Sequence, residues 1–411
     1  MAEQPRLRYG IEAIPISHQG QQLIAIRDMM GFSEETLIIS PDVYYIMTLM
    51  DGSNSTLDIQ EAYMRKFGNL LFSDKLNEII QLLDSHYFLD NERFADYRDS
   101  MIEEFKNSPV RKAFLAGKAY PPDPVAAHRQ LRSFFDLVEQ KLGEPKKPAG
   151  KVIGLVAPHI DLKQGGPSYA AAYRMLGAVD EQPEVFIILG IGHEPIENYF
   201  AITKKHFETP LGTLETDQDI VQAIIERTPR DITRGEFVHR KEHSVEFQVL
   251  FLQYMMPEAK IVPILCSFGV DDWKNDKKYI DEFAEVLKDI ISEHSSRVAV
   301  VAGVDLAHIG PRYGDNFSPT QSTVTEMARY DRELLDHLEK LDSENFINTL
   351  ARENDRRRVC GLPALYVMTK TFEMLDREHI RGKVVSYDKA IVDNYNSFVT
   401  FTGMIFTRET A

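Results

Sequence analysis

Imidazole is the side chain best suited to hold a transition metal or carry a proton near neutral pH. Three of the chain's twelve histidines follow apolar runs of strand length. Val152 to Ala157 runs into Pro158-His159, Val185 to Leu189 continues as Gly190-Ile191-Gly192-His193, and Val298 to Val301 leads through Asp305 to His308. In an open α/β sheet, ligands bind at the carboxyl ends of the strands, because the strand-to-helix loops converge there. Three imidazoles delivered to that edge imply one shared site, and the borderline metals are its expected occupants.

Two more segments can complete it. Glu242-His243-Ser244-Val245-Glu246 opens a helix whose later residues, Phe247, Leu250, Phe251 and Tyr254, are core-like. Charges on such a first turn either cap the helix or line a pocket; His243 and Glu246 together favour a pocket. Cys360-Gly361-Leu362-Pro363 starts another helix, where a thiol is poised to ionise. Cys266, beside the apolar run Val262 to Leu265, reads instead as a small buried hydrophobe. Arg356-Arg357-Arg358 reads as a solvated charge run or as a clamp for a carboxylate or phosphate.

These residues need a scaffold that brings them together. Ile261 to Leu265 is a further strand, and amphipathic helices are expected around Tyr169 to Leu176 and over Glu246 to Tyr254, Tyr279 to Ile291 and Val324 to Leu338. Strands apolar on both faces and separated by helices predict a mainly parallel α/β sheet covered on both sides. Lys383 to Tyr387 and Phe398 to Phe406 are closer together and are expected to pair antiparallel at an edge, where a homodimer could form.

The first ninety residues read differently. Ser40-Pro41, Ser55-Thr56 and Ser73 each precede an apolar stripe at helical spacing, predicting three short helices. The segment from Gln22 to Ile39 could form a hairpin or wing before them. Residues 91–108 are charged and end at Ser108-Pro109, predicting a linker helix. The expected layout is therefore a small helical domain over 1–90, a linker over 91–108 and an α/β domain over 109–411.

Composition narrows the partners. Lys plus Arg is 47 against 63 Asp plus Glu, a formal charge of −16 over 411 residues. Phosphate binding needs the opposite sign, so nucleic acid is not an expected partner. No apolar run is long enough to span a bilayer and the first residues form no signal segment, so a soluble, cytoplasmic protein is expected, with no membrane partner. Two cysteines cannot make a disulfide framework for a chain this long.

The motifs occur in an order that resembles one family. Ala157-Pro158-His159, Leu189-Gly190-Ile191-Gly192-His193, Thr209-Pro210-Leu211-Gly212, Glu242-His243-Ser244-Val245-Glu246, Asp305-Leu306-Ala307-His308 and Cys360-Gly361 are similar to the Memo family, also called AmmeMemoRadiSam system protein B. Ala116-Gly117-Lys118-Ala119-Tyr120-Pro121 resembles that family's N-terminal motif. The resemblance implies a fold like the class III extradiol dioxygenases and a metal held by two histidines and a cysteine, here His159, His193 and Cys360. It places Asp305, His308, His243 and Glu246 in the same pocket, and the family name implies radical SAM and AMMECR-type partners. The chain departs from the pattern at Ile160-Asp161-Leu162, where the family commonly has Ala-Gly-Tyr, and at Gly192, where a serine is usual. Leu37 to Leu89 resembles the PqqD-like winged-helix modules, which implies capture of a peptide or protein.

The expected function is a metal-dependent redox enzyme, with iron first and copper next, acting on a small molecule or a captured peptide. His308, oriented by Asp305, would handle the proton, and His243 and Glu246 would bind substrate or support the site from behind. A non-catalytic peptide-binding protein and a zinc-dependent hydrolase are the alternatives.

Overall fold

The computed structural model describes residues 4–18, 20–33, 35–294 and 297–409. The chain divides into two compact units between Asn107 and Ser108. In the first, strands β1 (Ile11–His18), β2 (Gln21–Asp28) and β3 (Leu37–Ile39) form an antiparallel sheet in that order. The predicted hairpin thus gains β1, which pairs with β2 along its full length.

Helices α1 (Pro41–Thr48), α2 (Thr56–Phe67), α3 (Ser73–Ser85) and α4 (Glu92–Asn107) follow. The Ser55 hydroxyl and the Asp58 carboxylate close a reciprocal capping box at the start of α2, and Gly68 ends it in the left-handed region. Ile26, Ile46, Met47, Ile59, Leu76, Ile80 and Leu83 form the core. The stretch read as a linker helix belongs to this unit. Phe94 is buried and meets Phe32 edge-on at 5.3 Å, and Tyr97 stacks on Tyr87 at 3.9 Å. A few aromatic anchors hold α4, and its charged composition concealed them.

The second unit begins with β4 (Val110–Arg111) and α5 (Pro124–Leu142), then β5 (Lys151–Ala157), α6 (Leu162–Tyr173) and β6 (Val185–Ile191). Short strands β7 (Phe200–Ile202), β8 (His206–Thr209) and β9 (Gly212–Thr216) lead to α7 (Gln218–Arg227), α8 (His243–Met255), β10 (Lys260–Cys266) and α9 (Val270–Glu293). The remainder is β11 (Val298–Gly303), β12 (His308–Ile309), α10 (Gln321–Glu339), α11 (Ser343–Arg352), α12 (Leu362–Asp376), β13 (Ile380–Ile391) and β14 (Phe398–Arg408).

These strands form an eleven-stranded sheet in the order β12-β14-β5-β11-β6-β10-β9-β8-β4, with β13 beside β14 and β7 beside β10. Its centre, β5, β11, β6 and β10, is parallel. The last two strands pair antiparallel as expected, and β14 continues the sheet by running antiparallel to β5.

Side chains alternate between two cores. Leu155, Ala157, Phe186, Ile188 and Val301 pack on the face of α6 and α8, and Val156, Ile187, Leu189, Val300 and Ala302 on the face of α9 and α12. With both faces covered, each central strand reads as an unbroken apolar run. β11 comes last of the three site-bearing strands yet lies between β5 and β6, so their carboxyl ends are neighbours. Among the described residues, no helix is long and apolar enough to cross a membrane.

Candidate metal centre

The three loops after β5, β6 and β11 meet the first turn of α8. The rings of His159, His193 and His243 gather there, with centroids 5.1 Å, 5.0 Å and 4.6 Å apart. One ligand nitrogen from each lies within 4.8 Å of the others. Imidazoles that face one another this closely cannot all be protonated.

Each ring is oriented from behind. The Nδ1 of His159 lies 3.0 Å from the carbonyl of Gly303, which can only accept, so that nitrogen carries the proton and Nε2 is free to ligate. Burial, followed by the positive charges of His243 and His193, holds His159 well below the usual histidine pKa. His193 Nδ1 lies 3.0 Å and His243 Nδ1 3.1 Å from the carboxylate of Glu242. Burial pulls His193 down, but the charge and hydrogen bond of Glu242 outweigh it and leave its pKa raised. For Glu242 itself burial is opposed by both histidines, and its carboxyl is held well below the usual range.

Glu242 therefore does two things at once. It caps α8 by accepting from the Ser244 amide at 2.9 Å, and it orients two imidazoles. The sequence points to Glu246 as a residue that binds substrate or supports the site from behind, and the structure turns its carboxylate to other partners. Glu246 is fully buried, its carboxylate taken by Arg111, the Tyr120 hydroxyl and the Leu115 amide, one helical turn away from the histidines. The Arg111 signal was invisible because its partner lies so far along the chain.

Cys360 closes the other side. Its Sγ is 3.3 Å from His159 Nε2 and 3.5 Å from the Asp305 carbonyl. The expectation of a readily ionised thiol fails: burial, then the Asp305 carboxylate, pushes the Cys360 thiol well up. A cation bound among these groups would reverse that, since a coordinating thiol is deprotonated outright. Cys266 is fully buried in the core behind the site, as its apolar run suggested.

Asp305 and His308 are both present but do not pair. Asp305 accepts the amides of His159 at 3.1 Å and Ile160 at 3.3 Å, and burial, against those two bonds, pushes its carboxyl up to about 7. His308 is oriented by two carbonyls instead, Leu306 and Arg358, each 3.0 Å from its Nδ1. Burial lowers its pKa to about 4, so the ring is neutral with Nε2 as its acceptor.

Nor are the three arginines a solvated run or an open clamp. Arg357 is buried against Asp331 and Glu353, Arg358 forks onto Asp315, and Arg356 alone points outward.

The histidines, Asp305 and His308 line a cleft of about 390 Å³ with Lys241, Phe247, Arg312 and Tyr313. A second cleft of about 360 Å³ reaches His193 and Cys360 from the side of Phe268, Val359 and Leu362. The donor set fits a transition metal: imidazole nitrogens with fixed tautomers, a thiol in contact with one of them, and a carboxylate behind two of them.

Fold and site thus define an α/β protein with a histidine cluster at the carboxyl edge of a mainly parallel sheet. Residues 111–405 match the family model described as Memo-like protein, and the chain belongs to that family. A MEMO1 family protein of Aquifex aeolicus is 29% identical over 381 residues, covering 93% of this chain and 95% of that one. That match is longer than the second unit, so it extends into the first. The Thermus thermophilus MEMO1 family protein TTHA0924 is 28% identical over 69% of this chain and 79% of its own length. The Pyrobaculum aerophilum MEMO1 family protein PAE0818 is 32% identical over 49% and 70%.

Proposed function

We propose that this chain is a metal-dependent redox enzyme whose centre is held by His159, His193 and Cys360, with iron as the favoured metal and copper next. The carrying observation is the convergence of two oriented imidazoles on a cleft that a neutral histidine also lines, with the Cys360 thiol 3.3 Å from one of them. Such a metal, when bound, would supply redox chemistry and open positions for a small molecule.

The chain's own residues have separable tasks. Glu242 keeps His193 and His243 turned toward the cleft. His308, neutral near pH 7, offers Nε2 to accept a proton from a substrate hydroxyl. Asp305 fixes the backbone that carries His159. The substrate would be a small molecule, or a peptide captured by the first unit.

One observation favours a second reading. His243 stands as close to the other imidazoles as they do to each other, and an all-imidazole set suits zinc and hydrolysis.

Metal content decides between them. The protein, purified without a metal-binding tag, is assayed for iron, copper and zinc beside His159→Ala, Cys360→Ser and His243→Ala. Stoichiometric iron lost in the first two variants and kept in the third supports the proposal. Zinc kept in Cys360→Ser and lost in His243→Ala selects the hydrolase. A wild-type chain that takes up no more metal than His159→Ala, even anaerobically, sinks both.

A further inference from the structure

The cleft in front of the histidines carries several charged side chains, and most of them are already matched. Lys241 is 2.6 Å from Glu194, and His193 is held by Glu242. Arg312 is different. Among the described residues it forms no ion pair, although its exposed guanidinium lines the cleft beside the Tyr313 phenol. An acid that feels its charge, Asp393, is occupied by the amides of Tyr395 at 2.8 Å and Ser397 at 2.9 Å.

This pair sits on a turn built with unusual care. The turn Pro311–Tyr313 follows β12 directly, so His308 and Arg312 lie on one short segment. The Arg312 amide donates to Ser397 Oγ at 3.2 Å, and the Gly310 amide donates to Asp315 at 2.8 Å. Asp315 is in turn forked by Arg358, with oxygens 2.7 Å and 3.3 Å from its two terminal nitrogens. Gly310 has a φ of +118°, and a Cβ there would come within 2.6 Å of Ser397 Cα, so only glycine lets the turn seat this closely. The Tyr313 ring stands edge-on to His308 at 4.9 Å. A rigid turn that presents, at the mouth of a cleft, a guanidinium with no acidic partner among the described residues and a phenol hydrogen-bonded beside it is the arrangement that a carboxylate or phosphate recognises.

We propose that Arg312 and Tyr313 bind the anionic group of a small-molecule substrate, placing its reacting end between His308 and the histidine cluster. The inference rests on the same cleft as the redox reading and names the class of substrate that cleft takes: a small molecule bearing a carboxylate or phosphate. Tyr313 suits the role because burial raises its hydroxyl to about 12, which keeps it a donor. The pairing is charge-assisted, with Arg312 supplying two parallel donors and Tyr313 a third.

The test uses the full-length, metal-free protein, so that it does not depend on the metal reading. Benzoate, phenyl phosphate and the neutral benzamide are titrated by calorimetry against wild type, Arg312→Gln, Arg312→Lys and Tyr313→Phe. Saturable binding of benzoate or phenyl phosphate is expected, whichever binds tighter identifying the anion, with benzamide binding far more weakly. Arg312→Gln should weaken the tighter anion roughly tenfold or more, Tyr313→Phe less, and Arg312→Lys should recover part of the loss by restoring charge without the fork. Anion binding that Arg312→Gln leaves unchanged, equal binding of benzamide, or no saturable anion binding at all overturns the proposal. So does a loss of metal uptake in Arg312→Gln, which would put the residue in the metal framework. A wild type that binds no metal but shows Arg312-dependent anion binding would sink the redox reading and leave this one standing.

Discussion

The wall of the cleft that carries Glu242 and His243 and the wall that carries Asp305, His308 and Cys360 each rest on a buried arginine, yet the two anchors are wired differently. Arg111 donates to the carbonyls of His239, Lys112 and Glu242 and pairs with the single carboxylate of Glu246. Arg357 divides its charge between Asp331, 3.4 Å away, and Glu353 at 2.5 Å. Asp331 also accepts from the hydroxyls of Thr400 at 2.6 Å and Tyr387 at 2.8 Å, and Thr400 Oγ1 accepts the Ala307 amide at 2.9 Å.

The first wall's arginine thus has one acidic partner, which also accepts the Tyr120 hydroxyl and the Leu115 amide, whereas the second wall's arginine sits in a web around two. The web has something to hold in place. Asn354, Asp355 and Arg358 have φ values of 51°, 44° and 52°, a conformation costing side-chain-bearing residues about 1 kcal/mol or more each. A loop with three such residues stays folded only where its surroundings over-determine it, and here it leads directly to Cys360. The helix start on the other wall is unstrained and needs only its one pair.

The sharpest way to break this comparison is to remove one carboxylate from each wall. Glu246→Ala leaves Arg111 buried with no acidic partner and should cost about 3–5 kcal/mol of unfolding free energy. Asp331→Ala leaves Arg357 paired with Glu353 and should cost clearly less, about 2 kcal/mol for the hydroxyls and the second charge left unmatched. Denaturant unfolding of the metal-free proteins measures both. If the aspartate variant is the more damaged, the single-pair and web description is wrong.

A smaller effect sharpens how each wall reaches the site. Glu242→Gln removes the charge behind His193 and His243 and should lower metal affinity about 10–100-fold, the usual loss for an orienting partner of a ligating histidine. Arg358→Lys, on the opposite wall, breaks the fork to Asp315 but keeps its positive charge and should lower affinity by a smaller factor. Competition with a chelator reads both, and a larger loss in the lysine variant would reverse the assignment of the stiffer wall.

The difference between the walls also explains what the sequence could reveal. His159, His193, Asp305 and His308 announce themselves because each follows an apolar run, and the edge of a parallel sheet does the rest. Cys360 stands out as a thiol at a turn before a helix. The choice between Glu242 and Glu246 is another matter, since both lie on the first turn of α8. It was settled by Arg111, whose partners lie in a segment far along the chain, and no local pattern carries that information. The same holds for Arg357 and Arg358, which read as surface charge until Asp331 and Asp315 fold against them. Helix α4 reads as a spacer for a related reason: two aromatic contacts outweigh its polar composition.

The smallest effect concerns a neutral histidine held in the first wall. His239 is 1% exposed, with Nε2 3.1 Å from the Ala201 carbonyl and its backbone carbonyl accepting from Arg111. Burial lowers its pKa to about 4. In the unfolded chain the same ring titrates near 6.5. Between those values the unfolded state binds a proton that the native state refuses, so stability rises with pH across the window and is lost as pH falls from about 6.5 toward 4. At pH 6 the loss is about 1 kcal/mol, and it grows as the pH drops further. His239→Gln keeps a donor for the Ala201 carbonyl and removes the titration, so its unfolding free energy should fall less steeply between pH 7 and pH 5 than that of the wild type. His308, also near 4, anchors the other wall through two carbonyls, and His308→Gln should flatten the same window independently. Unfolding measured across this range for each variant and for the pair tests the wiring. Additive flattening means that the walls titrate separately, as two distinct anchors require, whereas a double variant no flatter than either single one would show them to be one coupled unit.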